Sequence, residues 1–250
     1  MSLTRRALLT GGFIAAGTGV VAAIAAAGRR YGLVPPDSGG IYGAGETLAY
    51  AAHRLLGRHA LAREFPRDMI SAKPFANSIA RPNDAFKRHQ AANFTTWRLE
   101  VSGLVERSAS LSLDQLRAME VRSQITEVCC EEGWSYVAEW TGTPLAAVLS
   151  AAGVRSTARY LVYYSSEPDW WESIDIDEAM HPQTLVTWGM NGADLPMPFG
   201  GPLRLRVPRQ LGYKSVKFLD RMVVTDSLKG FGNGKGQSSA NDGYAWYAGI

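Results

Sequence analysis

The chain predicts an α+β fold, with a mixed β-rich core and short helices. Three observations point there. Short apolar or alternating runs recur between Gly, Pro and Asn-Gly breakers, as strands do. The helical signatures are brief, each with its own start or stop signal. The two kinds of element do not alternate regularly, which excludes a doubly wound parallel sheet. With 46% hydrophobic and 20% charged residues among 250, a sizeable core is within reach.

The elements follow in order. Residues 1–27 begin with Arg5-Arg6 and continue as an apolar, Gly/Ala-rich run to Ala27. A basic start, an apolar stretch and small residues near its end describe an export signal; the arginine pair ahead of Ala7-Leu8-Leu9 matches the twin-arginine type. An uncleaved anchor is the rival reading, because about 20 apolar residues can span a bilayer. Residues 28–70 hold a Gly/Pro-rich linker and a helix expected over 46–63, marked by Leu48, Ala51, Ala52, Leu55 and Leu56. Residues 71–250 form the main domain.

Within that domain, residues 97–101 alternate and Gly103 closes the strand. Ser112 and Gln115 have capping-box spacing ahead of a short helix. Residues 124–128 read as a strand running into Cys129 and Cys130. Thr143-Pro144 opens a helix with proline at its first position, and Gly153 ends it. Residues 160–164 form a buried strand, and 177–180 a single helical turn. Residues 185–190 lead into an Asn191-Gly192 turn. Further strands are expected at 203–207 and 222–225. The Gly-rich tail from Lys229 carries Tyr244, Trp246 and Tyr247, which should pack it onto the body.

Charge and cysteine usage narrow the function. A net charge of +3 with no Lys/Arg run after the first thirty residues is no nucleic-acid footprint. The only cysteines are adjacent, which disfavours a disulfide, and no C-x-x-C motif points to a zinc ribbon.

The informative stretch is Cys130-Glu131-Glu132-Gly133-Trp134-Ser135, followed by Trp140-Thr141-Gly142-Thr143-Pro144-Leu145. Then come Asp177-Glu178-Ala179-Met180-His181-Pro182, Asn191-Gly192, Gly201-Pro202-Leu203-Arg204 and Gly212-Tyr213-Lys214-Ser215-Val216-Lys217. This ordered series, over roughly residues 70 to 226, resembles the sulfite oxidase superfamily, most closely its periplasmic methionine-sulfoxide reductase branch. Trp134, four residues after Cys130, singles out Cys130 rather than Cys129.

The resemblance implies a sulfite-oxidase-like fold around a molybdenum–molybdopterin cofactor, with Cys130 as the metal ligand. It implies Asn77, Ser165, Arg204, Ser215, Val216 and Lys217 as contacts to the pterin and its phosphate. Lys214 joins them because Arg204, Lys214 and Lys217 lie in a segment with few nearby carboxylates, leaving their charge available to an anion. Phe199 departs from the pattern: relatives place Asn or His before the glycine, so one hydrogen-bonding side chain is missing. Glu131 and Glu132 read as structural or supporting groups, and Trp134, Tyr136, Trp140, Trp170 and Trp171 as core, with shaping of the pocket as the alternative.

High-valent molybdenum takes sulfur donors, and coordination stabilises a thiolate. The expected reaction is a two-electron oxygen-atom transfer. Glutamates after Cys130, in place of a cationic run, favour reduction of an uncharged S- or N-oxide over oxidation of anionic sulfite. Sulfite-type oxidation and a non-catalytic exported binding protein of the same fold are the alternatives. No haem-binding module is visible, so electrons are expected from a separate redox partner, such as a membrane cytochrome. The expected location is the periplasm.

Overall fold

The computed structural model describes residues 28, 32–38, 43–77 and 83–250. The export signal expected at 1–27 lies outside the described residues. The chain divides into two compact units, Met1–Gly57 and Arg58–Ile250. In the first, helix α1 spans Gly43–Leu56, with Glu46 in its first turn and His53 and Arg54 in its last, the polarity that suits the helix dipole. It stops short of the expected residue 63 because Gly57 follows, its N–H closing on His53 O at 2.9 Å. No described helix is long and apolar enough to cross a membrane.

The second unit holds two five-stranded sheets. In the first, strands β1 (Leu99–Gly103), β2 (Ala109–Leu111), β5 (Tyr160–Ser165), β6 (Trp171–Asp175) and β10 (Leu219–Thr225) lie in the order β2-β1-β10-β5-β6. Only β1 and β10 are parallel; they pass so closely that a side chain at Gly103 would strike Val224 O. The second sheet runs β3 (Arg122–Cys129), β4 (Ser135–Pro144), β7 (Leu185–Met190) and β8 (Ala193–Asp194), with β9 (Arg204–Arg206) also paired to β7. The mixed sheets with a few short helices confirm the α+β expectation.

Local signals explain most elements. Helix α2 (Asp84–Ala91) starts where Asn83 Oδ1 accepts the Phe86 N–H. Helix α3 (Leu113–Arg117) carries the full capping box between Ser112 and Gln115. Helix α4 (Leu145–Ala152) ends at left-handed Gly153, with Pro144 at the cap rather than at the first helical position. Asn191 and Gly192 both have positive φ, 52° and 81°, which makes the tight turn between β7 and β8.

Three elements had no clear signature. Strand β4 is buried along nearly its whole length, so its sequence shows no alternation. Strand β6 buries Glu172 and Ser173, which reads as surface in a sequence. Helix α2 buries only Phe86.

A single turn, α5 (Ile176–Ala179), leads to buried His181. Burial, then the nearby Arg209 charge, lowers the His181 pKa to about 4. The unfolded chain therefore takes up this proton first, near pH 6.5, and stability falls as pH drops from there toward 4. His181→Gln is expected to lose less stability than the parent between pH 7 and pH 5, measured by denaturant unfolding; an equal loss counts against this residue as a source of acid sensitivity.

Candidate active site

Cys130 sits at the turn joining β3 to β4. Its N–H donates to Trp134 O at 2.9 Å, and the Gly133 N–H donates back to Cys130 O at 3.1 Å. Gly133 has a φ of 89°, a conformation glycine takes without strain. Successive side chains near the strand end point to opposite faces, so Cys130 lines a cavity of about 380 Å³ while Cys129 does not. Both thiols are free.

The surroundings of this thiol are acidic. Its Sγ lies 3.3 Å from Glu131 Oε2 and 3.7 Å from Glu132 Oε2, and Glu132 also accepts the Trp134 indole N–H at 2.7 Å. Burial first, and then the charges of Glu131 and Glu132, push the Cys130 thiol up to about 12. A cation on the sulfur is what would make the thiolate favourable here. Among the described residues no group of three His, Cys, Asp or Glu side chains could hold a metal ion. A lone thiolate suits a metal that arrives with donors of its own.

The same cavity also holds cations. Arg204, 3% exposed, enters from β9; its guanidinium donates to Phe199 O at 3.0 Å and Ser215 O at 2.7 Å, and packs over the Trp140 ring at 5.1 Å. Its Nε is buried without a hydrogen-bond partner. Lys217 Nζ donates to Asn77 O at 3.2 Å and Pro198 O at 2.8 Å. Burial, and then the Arg204 charge, lower its pKa to about 8. Gly200 is required beside it: a Cβ there would come within 2.7 Å of Lys217 Cβ. Two cations whose hydrogen bonds go to neutral carbonyls, in one cavity with a thiol, fit an anionic cofactor bearing a phosphate. The residues present therefore suit a phosphate-bearing metal chelate.

Of the sequence-predicted residues, Cys130, Asn77, Arg204, Ser215, Val216 and Lys217 line this cavity together. The Ser215 hydroxyl is already engaged, accepting from Val207 N at 3.0 Å and Arg206 at 3.3 Å. Ser165 faces a neighbouring hollow; its hydroxyl donates to Lys217 O at 2.9 Å and so braces the loop that carries Lys217. Lys214 is a correction. It is 0% exposed and bonded to Glu172 at 2.8 Å, so its charge is not available to a phosphate. The carboxylate that neutralises it lies 42 residues earlier, which a scan of the local segment does not reveal.

Of the aromatic residues expected in the core or the pocket wall, several belong to the wall. Trp134, Tyr136 and Trp170 line the cavity, and Phe199 meets Tyr136 edge-on at 5.8 Å. Phe199 contributes its carbonyl to Arg204, not a polar side chain. Glu167, and Asp242 and Tyr244 of the tail, complete the rim. Nothing in their spacing links them to Cys130.

Comparison with known proteins places this geometry in context. The family model described as the oxidoreductase molybdopterin binding domain matches residues 86–230. A putative protein-methionine-sulfoxide reductase subunit, YedZ1, of Azospira oryzae is 37% identical over 189 residues, covering 76% of this chain and 68% of that protein. The protein-methionine-sulfoxide reductase catalytic subunit MsrP of Xanthomonas campestris is 36% identical over 179 residues, 63% of this chain and 56% of its own length. The chain thus spans about half of the latter relative. The sulfane dehydrogenase SoxCD of Paracoccus pantotrophus shares the fold, with a TM-score of 0.50 and 22% identity over 53% of this chain and 40% of that one.

Proposed function

The chain belongs to the family of oxidoreductases with a molybdopterin-binding domain, and from that membership we propose that it reduces an uncharged S- or N-oxide by two-electron oxygen-atom transfer. It is an oxidoreductase, and its cofactor is molybdopterin. When bound, the cofactor would supply the two-electron oxygen-atom-transfer chemistry, in which the oxide, two electrons and two protons give the reduced product and water.

The chain's own residues hold, orient and shield. Cys130 would supply the protein sulfur to the metal. Arg204 and Lys217 would hold the cofactor's phosphate, with Asn77, Ser215 and Val216 lining the same cavity. Trp134, Tyr136 and Phe199 limit water around the thiol. The carrying observation is the acidic, aromatic approach to Cys130: Glu131 and Glu132 beside the sulfur repel sulfite and leave a neutral oxide unopposed. The methionine-sulfoxide reductase names of the relatives support the same direction.

The reading extends to the cell. Arg5-Arg6 and the run to Ala27 support twin-arginine export to the periplasm, the route for proteins that fold around a cofactor beforehand. Electrons then come from a separate redox partner, a membrane cytochrome being the kind that serves this location. Protein from a molybdenum-replete host should carry about one molybdenum per chain, the stoichiometry of a single-thiolate site, and reduce sulfoxides in steady-state assays. Fast sulfite oxidation without oxide reduction overturns the direction; absence of metal favours the non-catalytic alternative.

A further inference from the structure

The C-terminal tail reaches the cavity from the far end of the chain and is held there by a buried polar network. Lys214 Nζ donates to Glu172 Oε2 at 2.8 Å, to Gln237 Oε1 at 2.7 Å and to Ser173 O at 3.3 Å. Ser239 Oγ donates to the other Glu172 oxygen. Trp246 Nε1 donates to Ser173 Oγ at 2.8 Å, and that hydroxyl donates to Gly236 O. Next to Lys214, the Tyr213 hydroxyl donates to Ala245 O at 2.6 Å, and its ring stacks on Tyr244 at 4.9 Å. Gln237 Nε2 donates to Tyr244 O at 2.6 Å.

Between the fixed points Ser239 and Trp246 the chain presents Asp242 and Tyr244 to the Cys130 cavity. The tail docks apolar surface too, with Trp246 buried edge-on against Tyr160. The ion pair and its hydrogen bonds fix the polar stretch ahead of Trp246.

We propose that Asp242 and Tyr244 are specificity-determining residues of the Cys130 cavity, held in place by Lys214 as a positioning residue, and that this wall admits oxides of neutral or positive charge while turning away anions. The proposal rests on the oxide-reduction reading for its substrate chemistry. Four carboxylates line the cavity, Glu131, Glu132, Glu167 and Asp242. The cations Arg204 and Lys217 line the same cavity, where a bound phosphate would engage them. The approach is then left negative. Tyr244 and Trp134 add aromatic faces, on which a cationic group is attracted by the ring quadrupole.

The test is calorimetric binding to the molybdenum-loaded enzyme of three thioethers that differ only in an end group: trimethylammonium, methyl ester or sulfonate. The parent should bind the cation most tightly and the sulfonate least. Asp242→Asn should narrow the cation-to-anion ratio about fivefold, the effect of one charge at a partly solvated distance. Tyr244→Ala should weaken the cation alone, also by about fivefold. Lys214→Met should lose both preferences together, keep its molybdenum content, and be cut first by protease within residues 236–246. Ser239→Ala, which keeps the ion pair, should show the same change more mildly. Equal binding of the three end groups by the parent overturns the proposal, as does an unchanged ratio in Asp242→Asn and Tyr244→Ala. Loss of molybdenum from Lys214→Met with an uncut tail overturns the positioning role. If the end groups bind in the expected order but none of the matching sulfoxides is reduced, oxide reduction fails and the wall assignment stands.

Discussion

Cys130→Ala is expected to abolish oxide reduction, a fall on the order of 10⁴-fold or more, as when a member of a unit that works only as a whole is removed. Among the described residues the thiol is the one protein sulfur lining the cavity, and burial beside two glutamates makes its anion unfavourable unless a metal lies on it. The substitution removes one atom at a site that is 8% exposed, so stability should change by only about 1 kcal/mol. Cys129→Ala is the control: its side chain is outside the cavity, and its activity should stay close to the parent's. Molybdenum content, thermal unfolding and steady-state rate together check the result. Substantial turnover in Cys130→Ala, with the fold intact, would falsify the ligand assignment.

The second large effect is expected at the cationic wall. Arg204→Met keeps the stem over Trp140 but removes the charge and leaves two carbonyls without donors, costing about 1–3 kcal/mol of stability. Cofactor affinity should fall by roughly 100-fold, the worth of a strong charge-assisted contact. Arg204→Lys should restore it poorly, since an ammonium cannot make the planar two-point grip. Lys217 adds a pH dependence with a definite sign. Burial and the neighbouring Arg204 hold its pKa near 8, so the lysine loses its charge in the cofactor-free chain as pH rises through that value. Binding a phosphate favours the charged form and takes up a proton. Cofactor affinity should therefore decline above pH 8, and Lys217→Met should flatten that decline. Molybdenum and pterin per chain after gel filtration at several pH values supply the measurement; a steep decline surviving in Lys217→Met counts against the lysine.

The sequence was legible wherever a residue's role is set by its neighbours along the chain. The capping box at Ser112 and Gln115, the stop at Gly153 and the Asn191-Gly192 turn depend on backbone geometry over a few residues, and all three stand where the pattern puts them. The Cys130 segment is local in the same sense, because one tight turn holds the thiol, both glutamates and Trp134. The motif around Gly212 likewise brings Ser215, Val216 and Lys217 to one wall.

Burial and pairing across distance were not legible. Strand β4 lost its alternation because both faces are covered. Lys214 looked like an available cation until the fold brought Glu172 against it, and the buried partners of Glu172 and Ser173 come from the distant tail. Asp242 and Tyr244 carry no motif at all.

By itself, then, the sequence determined the fold class from local patterns, and its ordered motifs carried the family resemblance that implies the role of the Cys130 thiol. The tertiary structure decided which charges remain available to a ligand and which are neutralised in the interior. The physical reason is that a charge acts according to its partners and its solvation, and both are set by segments far apart along the chain.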